Sequence, residues 1–134
     1  MRIRQDVLNA MKAHAQECHP HECCGILLCR GERRGVVSSS LRAANTTADD
    51  PAGCYALGHE AHLEAVKMEA AGEARIAGYY HSHPDGTPRP SQRDAEQAVD
   101  GLAYVIVAGH DGSIETAAWR MTDGGFVEAP MECV

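Results

Sequence analysis

Ile76-Ala77-Gly78-Tyr79-Tyr80-His81-Ser82-His83-Pro84 reads as a buried strand that ends in two histidines. Successive side chains on a strand point to opposite faces, so residues two apart share one. His81 and His83 therefore present both imidazoles to the same side. Asp94 follows at H-x-H-x10-D spacing, with Ser91 three positions before it. Zinc accepts imidazole nitrogen and carboxylate oxygen, and a catalytic site keeps three protein ligands and one open position. A fourth Cys or His would instead argue for a closed structural site. Eight histidines in 134 residues make a lone H-x-H unremarkable by chance, and the acid and Ser at fixed offsets weigh against chance. His81, His83 and Asp94 are the candidate ligands of one catalytic Zn²⁺.

Upstream of this strand, Ile3, Val7, Leu8, Met11 and Ala15 recur at helical spacing and predict an amphipathic helix over 2–17. Pro20 ends it. Cys23 to Cys29 is a short apolar run, a buried strand. Arg30-Gly31-Glu32-Arg33 predicts a hairpin turn into a second strand, Gly35 to Leu41. Residues 44–54 form a polar loop. Leu63, Val66 and Ala70 predict the buried face of a helix over 58–71, with Gly72 as its stop. Downstream, Asp85-Gly86-Thr87-Pro88-Arg89-Pro90 is a stiff, turn-rich loop. Ser91 to Val99 predicts a helix with Ser91 at its N-cap and Asp94 in a near capping box. Tyr104 to Ala108 is the most apolar strand, and 113–120 and 124–128 complete an antiparallel run. Helix, two strands, helix, strand, helix and strands predict an α/β fold with a mixed sheet flanked by helices, in one domain over 1–134.

A net charge of −7 disfavours nucleic acid as a partner, because neutralising phosphates needs basic surface. No apolar run approaches the roughly 18 residues that span a bilayer, and the charged N-terminus lacks the apolar core of a signal peptide. The expectation is a cytoplasmic protein with no membrane partner. Oligomeric state has no signature in the sequence. Six cysteines (Cys18, Cys23, Cys24, Cys29, Cys54, Cys133) lack paired C-x-x-C spacing, and in a reducing compartment they read as buried free thiols rather than disulfides or a second zinc site.

An N-cap Ser and an acid in the first turn need no metal, so capping competes with ligation for Ser91 and Asp94. Both hold if the cap orients Asp94 towards the histidines. A hydrolase also needs a general base. Glu22, in His21-Glu22-Cys23-Cys24-Gly25, stands where a charge is out of place unless used, although glutamates at strand entries are commonly solvated.

Glu22, then His81-Ser82-His83-Pro84, then Ser91-x-x-Asp94, together resemble the signature of the JAMM (MPN+) zinc metalloproteases. The resemblance spans most of the chain, and all five positions match. It implies a curved mixed sheet of cytidine-deaminase-like architecture and one catalytic zinc on His81, His83 and Asp94. It further implies Glu22 as base for a zinc-activated water, and Ser91 as stabiliser of the tetrahedral intermediate. The short bacterial members it is most similar to act on the C-terminal tail of ubiquitin-like sulfur-carrier proteins, cutting after the Gly-Gly end. The implied function is such a peptidase or isopeptidase, with the loop from Asn45 to His59 lining the groove for the tail. The H-E-x-x-H zincin pattern is absent, since Gly25 and Leu63 stand where its second His would be, and a nucleoside deaminase would need H-x-E with P-C-x-x-C. Two rivals remain: a hydrolase using Cys23 or Cys24 with a nearby His, and a non-catalytic, zinc-stabilised module that binds a ubiquitin-like protein.

Overall fold

A computed structural model describes residues 1–31 and 35–134. In chain order it comprises β1 (Arg2–Ile3), α1 (Gln5–Cys18), β2 (Cys24–Arg30), β3 (Val36–Val37), β4 (Ser39–Ala43), α2 (His59–Ala70), β5 (Ala74–His83), α3 (Gln92–Gln97), β6 (Ala103–Ala108), β7 (Glu115–Thr122), β8 (Gly125–Ala129) and β9 (Glu132–Cys133). Six strands form one mixed sheet in the order β4-β2-β5-β6-β7-β8. β5 and β6 pair in parallel and the other neighbours antiparallel. A parallel pair needs a crossover connection, and here α3 and its flanking loops supply it. The expected α/β architecture, a mixed sheet flanked by helices, is the one found.

β2 and β5 lie side by side, and their alternating side chains feed two cores. Ile26 and Leu28 pack with Ala61, Ala65 and Met68 of α2. Leu27 and Cys29 pack with Val7, Leu8, Met11 and Ala15 of α1 on the opposite face. Burying each Ile or Leu fully contributes about 1.5–3 kcal/mol. Gly25 is required by space: a β-carbon there would lie 2.2 Å from the Tyr80 ring and 2.5 Å from the Leu41 carbonyl oxygen. Along β5, Tyr80 joins the α1 core and Tyr79 packs against the α2 core. Alternation then carries His81 and His83 to the α2 face and Ser82 to the α1 face.

Several sequence expectations need correction. Arg2 and Ile3 are not helical: they pair in parallel with Val36–Val37 and Glu132–Cys133 in a second, three-stranded sheet. The strand expected over 35–41 is split at Ser38, sending Val36–Val37 to that small sheet and Ser39–Ala43 to the edge of the large one. Two-residue pairings of this kind carry no periodic signal. In the expected turn at Arg30–Arg33, Glu32 and Arg33 lie outside the described residues. α2 turns a different face inward from the one expected: Ala61, Ala65 and Met68 are buried, while Leu63 and Val66 are 43% and 42% exposed. Small alanines allow the helix to lie close to the strands, and hydropathy ranks larger residues above them. α3 ends at Gln97 rather than Val99, because Ala98 is extended and the Val99 N–H donates to the Tyr104 hydroxyl at 2.9 Å.

Candidate active site

β5 delivers His81 and His83 at the C-terminal end of the central parallel pair, where they face Ile106 and Ala108 of β6 in the ladder. α3 brings the acid. Ser91 Oγ accepts the Asp94 N–H at 3.1 Å, and the Ser91 N–H donates to Asp94 Oδ2 at 2.8 Å, a complete capping box. The cap therefore orients Asp94 rather than competing for it. The same Oδ2 lies 3.1 Å from His81 Nε2 and 3.1 Å from His83 Nε2, and the two ring nitrogens are 3.1 Å apart. His83 Nδ1 sits 2.9 Å from the Thr87 carbonyl oxygen. A carbonyl only accepts, so that nitrogen carries a proton. Burial disfavours a charged His83 ring, but hydrogen bonds to Asp94 and the Thr87 carbonyl outweigh it and hold the imidazole above its ordinary value; once Nε2 gives up its proton, its lone pair faces the site.

Three electron-rich atoms this close repel one another unless a proton or a metal ion lies among them. Their triangle is close to one face of a zinc tetrahedron, whose edges are about 3.4 Å for bonds of about 2.1 Å. Two nitrogens and one carboxylate oxygen also suit zinc chemically. Glu22 completes the cluster: its carboxylate lies within 4.8 Å of the His81 and His83 ring nitrogens. Glu22 is 5% exposed, and its Oε1 and His81 Nδ1 are buried without a hydrogen-bond partner among the described residues. A buried carboxylate oxygen without a partner is costly and suits a group that engages water or substrate. The donor set thus fits a zinc ion, with Glu22 beside it.

The electrostatics separate the two acids. Burial pushes the Glu22 carboxyl up to about 7; nearby His83 and Arg93 pull it down, while Asp94 pushes it up. Burial alone would raise Asp94 too, but hydrogen bonds with His81, His83 and the Ser91 amide outweigh it and hold Asp94 well below the usual carboxylate range. Burial lowers His81, which keeps that ring neutral and able to donate a lone pair. One acid stays anionic while the other titrates near neutrality, the condition for taking up a proton and returning it.

All five residues singled out in the sequence, Glu22, His81, His83, Ser91 and Asp94, converge at this end of the sheet. Ser91 reaches the site through Asp94, which it hydrogen-bonds by both its amide and its hydroxyl. Three further residues shape the site. Tyr55 stacks on His81 with ring centroids 4.6 Å apart. It belongs to the 45–57 connection and helps line a cavity of about 240 Å³ with Leu57, Tyr79, Val99 and Tyr104. Asn45 bonds the Glu22 carbonyl, and Ser82 bonds the Cys23 amide. A polar loop residue such as Asn45 carries no sequence signal, whereas Ser82 was visible between the two histidines without its partner being evident. Cys23 and Cys24 are wholly buried, and burial pushes their thiols up to about 11 and about 12. That weighs against either as a nucleophile, and among the described residues all six cysteines are free.

The chain resembles known proteins over nearly its whole length. Residues 4–122 match the family model for prokaryotic homologs of the JAB domain. A CysO-cysteine peptidase of Mycobacterium tuberculosis is 33% identical, over 98% of this chain and 90% of the relative. A desampylase of Haloferax volcanii is 30% identical, over 87% of this chain and 86% of that protein. A JAB1/MPN domain protein from Archaeoglobus fulgidus superposes with a TM-score of 0.64 at 18% identity, over 100% of this chain and 99% of the other, a likeness of fold alone. The chain belongs to the family of prokaryotic homologs of the JAB domain.

Proposed function

We propose that this JAB-family chain is a zinc-dependent peptidase of the JAMM type. Its substrate is the C-terminal tail of a ubiquitin-like sulfur-carrier protein, cut after the Gly-Gly end. The observation that carries the reading is the convergence of His81 Nε2, His83 Nε2 and Asp94 Oδ2 at 3.1 Å beside the buried Glu22 carboxylate, whose Oε1 has no partner among the described residues. Relatives bearing the names CysO-cysteine peptidase and desampylase support the substrate class. No described helix is long and apolar enough to cross a membrane, and we assign the reaction to the cytoplasm, carried out by one domain over 1–134.

His81, His83 and Asp94 would hold the zinc. Held there, it would supply Lewis acidity and make a water acidic enough to lose a proton near neutral pH. Glu22 takes the proton of the attacking water and returns it to the leaving amine. Ser91 Oγ accepts the Asp94 N–H, and its O–H donates to the oxyanion of the tetrahedral intermediate. Tyr55 covers one face of the His81 ring and limits water on that side.

The test is mass spectrometry of Gly-Gly-ending carriers, each extended by a few residues, after incubation with zinc-loaded protein. The expected product is the carrier trimmed to Gly-Gly. Glu22→Gln should keep its zinc and lose about 10²- to 10⁴-fold in kcat; full activity in that variant would remove the role given to Glu22. Tight binding of the carriers with no turnover would instead favour a non-catalytic binding module.

A further inference from the structure

We propose that Ser82 and Asn45 are positioning residues that aim the Glu22 carboxylate by holding the main chain of Glu22 and Cys23. The inference rests on the hydrolytic reading of the site. Glu22 lies outside regular structure, one residue beyond the Cys23 that precedes β2. Its Oε1 has no partner among the described residues, so the side chain is aimed chiefly from its backbone. That backbone is fully bonded. The Glu22 N–H donates to the Pro51 carbonyl at 2.7 Å, and the Glu22 carbonyl accepts Asn45 Nδ2 at 3.2 Å. The Cys23 N–H donates to Ser82 Oγ at 2.7 Å, and the Cys23 carbonyl accepts the Ser82 N–H at 3.0 Å.

Each side chain does something a backbone rung could not. The β2–β5 ladder ends at Cys24 opposite His81. One step further out, Ser82 Oγ supplies the acceptor that the ladder no longer provides. Because Ser82 stands between the two histidines but on the other face, the strand that presents the rings also anchors the chain that presents the acid. Asn45 Nδ2 donates as well to the Cys54 carbonyl at 3.1 Å, while its Oδ1 accepts the Thr47 and Ala56 amides at 3.2 and 3.1 Å. Tyr55, between Cys54 and Ala56, is the residue stacked on His81. One Asn side chain thus ties the Glu22 main chain to the ring that covers His81.

Neither residue touches the reacting atoms, so both act through Glu22. Ser82→Ala leaves the buried Cys23 amide without an acceptor, whereas Ser82→Thr keeps the oxygen. Asn45→Asp is nearly isosteric but sets a carboxylate oxygen against the Glu22 and Cys54 carbonyls. A displacement of about 1 Å costs on the order of 100-fold in rate. Ser82→Ala and Asn45→Asp should therefore lower kcat by roughly 10- to 100-fold on an extended Gly-Gly carrier, with unchanged zinc content, and Ser82→Thr should restore it. KM should stay unchanged in Ser82→Ala. The second readout is amide hydrogen exchange in the metal-free protein: in Ser82→Ala, Cys23 should exchange faster while Val105 in β6 does not. Wild-type kcat in both variants, alongside an active wild type and an impaired Glu22→Gln, overturns the proposal. So does loss of zinc or uniformly faster exchange, either of which marks a merely structural role. An inert wild type refutes the hydrolytic reading instead, and local exchange at Cys23 then decides whether the clamp exists.

Discussion

Replacing Glu22 by Gln should make the metal-free protein more stable at alkaline pH. In the folded chain burial moves the Glu22 carboxyl from 4.5 to about 7, so between those values the folded state binds more protons than the unfolded state. Stability conferred by the neutral acid is then fully present below 4.5 and is lost as pH rises through 7. At about 1.4 kcal/mol per pH unit, the cost at pH 8 is at most about 3 kcal/mol. At pH 5 it is about 0.8 kcal/mol by the same relation. Glutamine has the shape of the acid and no proton to lose, so it escapes the cost at both pH values. Denaturant unfolding of chelator-treated wild type and Glu22→Gln at pH 5 and pH 8 reads the difference directly. The variant should gain up to about 2.5 kcal/mol relative to wild type on going from pH 5 to pH 8. An equal gap at the two pH values, or a variant less stable at pH 8, would refute the claim that this carboxylate is buried at a cost to the fold. A positive result would show a residue retained against stability, as expected where function needs a charge.

His81→Ala should bring zinc content down to background by elemental analysis, since one of three donors and the ring under Tyr55 are lost together; undiminished zinc would move the metal elsewhere. Gly25→Ala should destabilise the fold by about 1–3 kcal/mol in thermal or denaturant unfolding, because its β-carbon has no room between Tyr80 and the Leu41 carbonyl. Brief iodoacetamide treatment at pH 8 should alkylate exposed Cys133 and spare Cys23 and Cys24, which are buried with their thiols pushed up to about 11 and about 12. Peptide mapping showing modification at Cys23 or Cys24 in the folded protein would reopen the thiol-hydrolase reading.

Sequence by itself determined what local periodicity and spacing can encode. Two-residue spacing at the end of an apolar strand put His81 and His83 on one face. The apolar runs at Cys23–Cys29 and Tyr104–Ala108 marked the two strands that flank them. Ser91 and Asp94 were legible because a capping box is a contact between residues three apart. The tertiary structure decided whatever depends on residues distant in the chain. It set the buried face of α2, where close approach to the strands selected Ala61 and Ala65 over Leu63 and Val66. It assigned Ile3 to a strand through partners at Val37 and Cys133. Above all it brought Glu22 next to the histidines and surrounded its main chain with Asn45, Pro51 and Ser82. The sequence could propose Glu22 as an acid in an odd place. Its high pKa and its aim arise only from burial and long-range hydrogen bonds, which one-dimensional spacing does not contain.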